Sequence, residues 1–213
     1  MQYWTTAFGL NLGIMSMNGL CDQLRSWCQL YPDPSAPAER NAAARAQEDE
    51  RLGRFAELEV LNRDQVVALI NWKFQSMAHR RALAMRGISQ ERWTGKDGAA
   101  ELIRRGLASS DDTAALAAVC DIYRFGPAMG SVVLAACRPK RFTVADWRAL
   151  KALRLLKRMP DGPREFRQDD WLPYLHACRT LSDVCCLSLR NVDRALWVAA
   201  NDPDLAACAV PKS

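Results

Sequence analysis

A chain of 213 residues can bury a real core without disulfide or metal staples, as one globular unit or two interlocked lobes. Eight cysteines without paired Cys-x-x-Cys spacing and two distant histidines, His79 and His176, argue against a disulfide framework and a zinc site. The net charge of +5 is mild, so any charge-driven partner has to be sought in local blocks.

The first 31 residues are apolar and aromatic, with Tyr3, Trp4, Phe8, Trp27 and Tyr31. No basic region precedes this stretch, and Asn11, Asn18 and three glycines interrupt it. It therefore reads as neither a signal peptide nor a membrane span. A cytoplasmic protein is expected, its cysteines buried free thiols of a reducing compartment. Leu20, Leu24, Trp27 and Cys28 recur at helical spacing and predict a helix from about Asn18 to Leu30. The run Pro32–Pro37, PDPSAP, must break it, because closely spaced prolines deny regular hydrogen bonding.

From Ala38 to Ala56 the composition is that of a helix with exposed charges. Asn62 or Asp64 can cap the next helix, expected to run through Val66, Leu69, Ile70 and Phe74 to about Met85. Further helices are expected at Ala99–Leu107 and, capped by the Ser109–Asp112 cluster, at Thr113–Tyr123. Others follow at 127–137, 145–158, 170–178, 180–188 and 191–200. No stretch alternates with period 2 and no repeat is present, so the expected fold class is all-α. The segments group as residues 1–65, a central unit 66–160 and C-terminal helices 161–213, completing one compact unit.

The link between two of these helices reads Ile122-Tyr123-Arg124-Phe125-Gly126-Pro127-Ala128-Met129-Gly130. Gly126 suits a turn, and Pro127 suits a first helical position, where its missing N–H costs little. The N–H groups left open at such a helix start favour an anion. Gly130 would let two helices approach closely. A basic block follows: Arg138 to Arg167 holds ten Lys and Arg against three acids, a local balance of +7 that favours a polyanion. Within it Asp146, in FTVADWRAL, stands at a helix head, where the dipole stabilises its anion.

Hairpin, basic block and aspartate together resemble the helix-hairpin-helix DNA glycosylases. The resemblance covers about residues 113–150, and more loosely 66–86. It implies a two-lobed helical fold whose hairpin grips a DNA phosphate, with Gly126, Ala128 and Gly130 in the hairpin. Arg124 replaces the first glycine of the family pattern and is itself a candidate contact to the DNA backbone phosphate. The family's catalytic aspartate corresponds to Asp146, eighteen residues beyond Ala128. A carboxylate there can stabilise charge growing on the sugar as a base departs. Ala128 occupies the position of the amine nucleophile in glycosylase/lyases, so the implied enzyme is monofunctional and leaves an intact abasic site. The family's iron–sulfur spacing is not met by Cys178, Cys185, Cys186 and Cys208, so neither a cluster nor another metal or cofactor is expected.

Lys73 aligns with the residue that fills the gap left by a flipped nucleotide. Trp72, Phe74, Trp147, Tyr3 and Trp4 are candidate walls of a base pocket. Lys73, Lys140, Arg141, Arg148 and Lys151 are candidate DNA contacts. Arg148, Lys151, Arg154, Lys157 and Arg158 form an expected basic stripe, with Leu150, Leu153 and Leu156 facing the core. The expected partner is double-stranded DNA, bound by a monomer. The expected substrates extend to hypermodified bases such as glucosylated hydroxymethylcytosine of phage DNA, in an antiviral role. A helix-hairpin-helix protein that binds DNA without catalysis is the alternative.

Overall fold

The computed structural model describes residues 16–208, in which the regular structure is all helical and contains no strand. The order is α1 (Met17–Leu30), α2 (Ala38–Gly53), α3 (Arg63–Lys73), α4 (Ala78–Gln90), α5 (Ala99–Ala108) and α6 (Asp112–Cys120). It continues with α7 (Pro127–Cys137), α8 (Trp147–Leu155), a 3-10 turn (Gln168–Asp170), α9 (Trp171–Cys185), α10 (Leu189–Ala199) and α11 (Pro203–Cys208). None of these helices is long and apolar enough to cross a membrane.

Local chemistry sets most of the boundaries. Ser16 caps α1, Asn62 and Gln65 form a reciprocal capping box on α3, and Asp111 accepts from the Ala114 N–H on α6. The helix expected over about 62–85 is two helices, since α3 stops at Lys73 and a turn through Phe74–Met77 precedes α4. Conversely, the two helices expected at 170–178 and 180–188 are the single helix α9, which ends on Cys186 in the left-handed conformation (φ 52°). The expected 113–123 and 145–158 helices are shorter, at 112–120 and 147–155.

The N- and C-terminal helices pack together. Leu20, Leu24, Trp27 and Cys28 of α1 are buried as their spacing predicts, and α1 lies along α10, which also packs on α8 and α9. The Arg45 guanidinium of α2 donates to the Cys28, Gln29 and Tyr31 carbonyls at 3.3, 2.6 and 3.2 Å, closing the open end of α1. The middle helices form a second group, in which α3, α5 and α6 surround α7. α7 is buried on nearly every side. Its small residues, Ala128, Gly130, Ser131, Ala135 and Ala136, are what allow this. A Cβ on Gly130 would come within 3.0 Å of Cys120 Sγ and 3.1 Å of Leu116 Cδ1, so α6 and α7 touch through that glycine.

The cysteine expectation needs one correction. Cys21 of α1 and Cys185 of α9 form a disulfide, their Cα atoms 5.0 Å apart, while Cys28, Cys120, Cys137, Cys178 and Cys186 are free. Residues 164 apart carry no local spacing signal, which is why the pair was invisible in the sequence. A bridge closing so long a loop restricts the unfolded chain, so reduction, or Cys21→Ser, is expected to lower stability by about 2–4 kcal/mol. Urea midpoints with and without reductant measure this. Superimposable curves would mean that the bridge contributes nothing.

Candidate functional site

The hairpin occupies the turn between α6 and α7. The Phe125 N–H donates to the Ile122 carbonyl at 2.9 Å, and both side chains are buried, anchoring the turn from below. Gly126 caps α7 with Pro127 at its first position. The expected reason for Gly126 is not the one observed. Its φ is −121°, an extended conformation, and a Cβ there would meet nothing within 4 Å. The left-handed residue of the turn is Arg124 (φ 66°), at the position where the family pattern has its first glycine. Arg124 and Tyr123 are exposed, with the guanidinium 5.2 Å from the ring centroid.

Helix α4 braces this turn. Glu91 Oε2 accepts from the Tyr123 N–H at 2.8 Å, and a Cβ on Gly87 would lie 2.4 Å from the Tyr123 oxygen and 2.8 Å from Arg124 Cβ. Gly87→Ala must therefore push the hairpin off α4, and a loss of about 1–3 kcal/mol is expected in urea unfolding. An unchanged midpoint would show that the turn moves without cost.

From α7 the chain returns through the non-helical, buried segment Phe142–Ala145 to Asp146. Two hydrogen bonds hold this segment from opposite sides. The Ala145 N–H donates to Ser131 Oγ of α7 at 2.8 Å, and the Tyr174 hydroxyl of α9 donates to the Val144 carbonyl at 2.8 Å. Asp146 then caps α8, its Oδ1 accepting from the Arg148 N–H at 2.9 Å. Its other oxygen, Oδ2, accepts from Lys73 Nζ at 2.9 Å, and both side chains are about nine-tenths buried. Burial would raise the Asp146 carboxyl. The Lys73 ammonium, followed by the Arg148 N–H and guanidinium, outweighs it and holds the carboxyl below its ordinary value.

Around this pair lies a buried ionic network. Arg190 bonds both Asp193 and Glu48, and Arg194 bonds Glu48 and Asp49. Glu48 Oε1 also accepts from Trp72 Nε1 at 3.0 Å and from the Tyr31 hydroxyl at 3.1 Å, and Arg190 lies 5.0 Å from the Trp72 ring centroid. Burial pushes the Asp193 carboxyl up to about 6, against the pull of Arg190 and Lys73. Glu48 goes the other way, because Arg190 and Arg194 outweigh its desolvation.

Beside the network is a cavity of about 220 Å³ walled by Leu52 of α2, Ala56 just past its end, Trp72, α7 (Val132, Ala136), Arg190 and the segment Phe142–Val144. Within that segment Thr143 is 2% exposed, and its Oγ1 has no hydrogen-bond partner. Asp146 is not among the residues lining this cavity. It lies two residues beyond Val144, which is.

The remaining predicted site residues are dispersed. Lys73 does not stand out from the surface as a wedge but is turned inward onto Asp146, because α3 ends there and carries its last side chain under α8. Phe74 is core, and Trp147 is half-buried with Arg148 and Arg164 at 4.8 and 4.3 Å from its ring centroid. Arg141 is tied to Asp112 and the Ser109 carbonyl, and Lys151 donates to the Ala200 carbonyl at 2.6 Å. The expected stripe is thinner than its spacing suggested. Arg154 folds onto the Pro160 and Pro163 carbonyls and Asp170, and Lys157 and Arg158 lie past the end of α8. Lys140 is exposed, and Leu150 and Leu153 are buried as expected. Tyr3 and Trp4 lie outside the described residues.

No family model, curated protein or solved structure matches this chain. The site therefore stands on its own geometry.

Glu48, Arg190, Asp193 and Arg194 were not picked out from the sequence. One signal was available. Leu189, Val192 and Leu196 define the apolar face of α10, and Asp193 falls on that face, three residues before Leu196. A charge inside an apolar stripe has to find a buried partner.

Proposed function

We propose that the chain is a monofunctional DNA glycosylase, a two-lobed helical enzyme that draws a damaged or modified base out of the duplex and hydrolyses its N-glycosidic bond. The carrying observation is the succession of a braced hairpin, a helix start offering the Gly126 and Ala128 N–H groups on either side of Pro127, and Asp146 held as a buried anion at the head of α8. A fixed carboxylate of this kind stabilises positive charge growing on a sugar, and does so more strongly where water is excluded. The grouping of terminal helices on one side and α3–α7 on the other supports the two-lobed reading. The Trp72-lined cavity supports the pocket, being smaller than the roughly 300–1,000 Å³ of drug-sized sites and so suited to a single ring system. Base release leaves an abasic site, since Ala128 offers no amine and Lys73 is engaged with Asp146.

The test is incubation with duplexes carrying alkylated, oxidised, deaminated or glucosylated hydroxymethyl bases, followed by alkaline cleavage. Strand breaks that appear only after alkali are the expected result. Breaks without alkali, or a borohydride-trapped adduct, would contradict a monofunctional mechanism. One observation favours the alternative, a helix-hairpin-helix protein that binds DNA without catalysis: Asp146 is nine-tenths buried and does not line the Trp72 cavity, so the cleft must open for a sugar to reach it. Duplex binding with no abasic product from any substrate would establish that reading.

A further inference from the structure

The lysine expected to enter the DNA faces the carboxylate instead. We propose that Lys73 is the positioning residue of this site, its ammonium aiming the Asp146 carboxylate and balancing its charge while the protein waits for substrate. The inference rests on the glycosylase reading for its use in catalysis, and on geometry for the pairing itself.

Four elements converge to make the pair. Helix α3 ends at Lys73, so the lysine is its last helical residue, and the capping box at Asn62–Gln65 fixes the register from the other end. Trp72, one residue earlier, is tied to Glu48 of α2 and stacked by Arg190 of α10, so the end of α3 cannot swing away. Ser131 and Tyr174 hold the segment running into Asp146. The Arg148 N–H takes one carboxylate oxygen, leaving Oδ2 for Lys73 at 2.9 Å. The carboxylate plane is thus set by two donors on opposite sides, one from its own helix and one from α3.

A merely structural ion pair would be indifferent to where the charge on the carboxylate goes. Here the arrangement keeps charge on one particular group. The groups facing Asp146 are Lys73 from α3, Arg148 from α8, Tyr174 from α9 and Asp193 from α10, with Arg190 beyond Asp193. Lys73 is the closest cation to it, since the Arg148 guanidinium stands at 4.0 Å. Asp193 is a second carboxyl nearby, raised by burial and by the Asp146 charge, so it is already protonated where Asp146 titrates. Without Lys73, burial would act on Asp146 against the weaker pull of Arg148 alone.

The experiment follows the Asp146 carboxyl carbon by NMR across an acid titration, in the wild type, Lys73→Met and Lys73→Gln, with Asp146→Asn to assign the resonance. In the wild type the carboxyl should titrate below the ordinary range. In both lysine variants the midpoint should rise by about 1–3 pH units. Lys73→Gln keeps a hydrogen-bond donor but no charge, so it separates charge from contact and guards against a Met variant that fails to fold. An unmoved midpoint in a folded variant overturns the proposal, as does a wild-type carboxyl that titrates at or above its ordinary value. The second readout is base release against pH. Its acid limb should shift upward in the variants by the same interval, which a loss of stability alone would not produce. If the carboxyl moves as stated but no DNA is a substrate for the wild type, the glycosylase reading fails while the pairing assignment stands.

Discussion

Asp146→Asn is expected to slow base release by about 10²–10⁴-fold while leaving duplex affinity within a few-fold of wild type. The carboxylate lies beyond the braced hairpin, so removing its charge leaves the turn and the start of α7, the proposed phosphate-binding surface, intact. Asparagine can still cap α8 through its oxygen, but it then presents an amide rather than an anion to Lys73. The fold should survive with some loss of stability from the uncompensated lysine, read as a lowered melting temperature. Abasic-site formation by alkaline cleavage, beside duplex binding by anisotropy at fixed salt, separates the two effects. Retention of full base release would remove Asp146 from the chemistry. Loss of binding and release together would mean that Asp146 shapes the DNA surface instead.

Arg194→Met is expected to cost about 3–5 kcal/mol of folding stability. Arg194 is 2% exposed, and its guanidinium reaches Glu48 at 2.7 and 3.0 Å, Asp49 at 2.6 and 3.1 Å and Asn191 at 3.1 Å. Methionine fills much of the space but leaves the half-neutralised Glu48 carboxylate in a dry environment, shared only with Arg190, Trp72 and Tyr31. For a chain of this size the loss corresponds to a fall of roughly 6–20 °C in melting temperature. Adding Glu48→Gln to the Met variant should restore part of it, because the stranded charge is then gone, and a double-mutant cycle measures the coupling. A loss below about 1 kcal/mol would show that Arg190 alone balances Glu48.

The network explains why some of the site was legible in the sequence and some was not. The hairpin could be read because its signals are local: Gly-Pro at a helix start, small residues after it, and an aspartate where a helix can begin. Even there, Gly126 and Arg124 exchanged roles, because chain composition does not say which residue of a turn takes the left-handed conformation. The sequence offers Lys73 as a gap-filling DNA contact since nothing around it in the chain demands a buried partner, and Asp146 lies seventy-three residues away. Glu48 sits in a helix rich in Ala, Glu and Arg that looked wholly solvated, yet its side chain meets two arginines of α10. The basic block kept its composition but lost much of its face, as Arg141, Lys151 and Arg154 turned to carbonyls and carboxylates of the same chain.

What the amino-acid sequence determined by itself was the helical class, most helix starts (though not those of α4 and α11), and the buried faces of α1 and α8. Those follow from capping groups and from apolar spacing, which act over a few residues. Only the tertiary structure decided that Lys73 meets Asp146, that Cys21 meets Cys185, and that α10 carries a charged group into the core. Such pairings depend on the relative placement of helices far apart in the chain. That placement is set by how apolar faces pack, so a charged side chain acquires its partner only after the helices have found theirs.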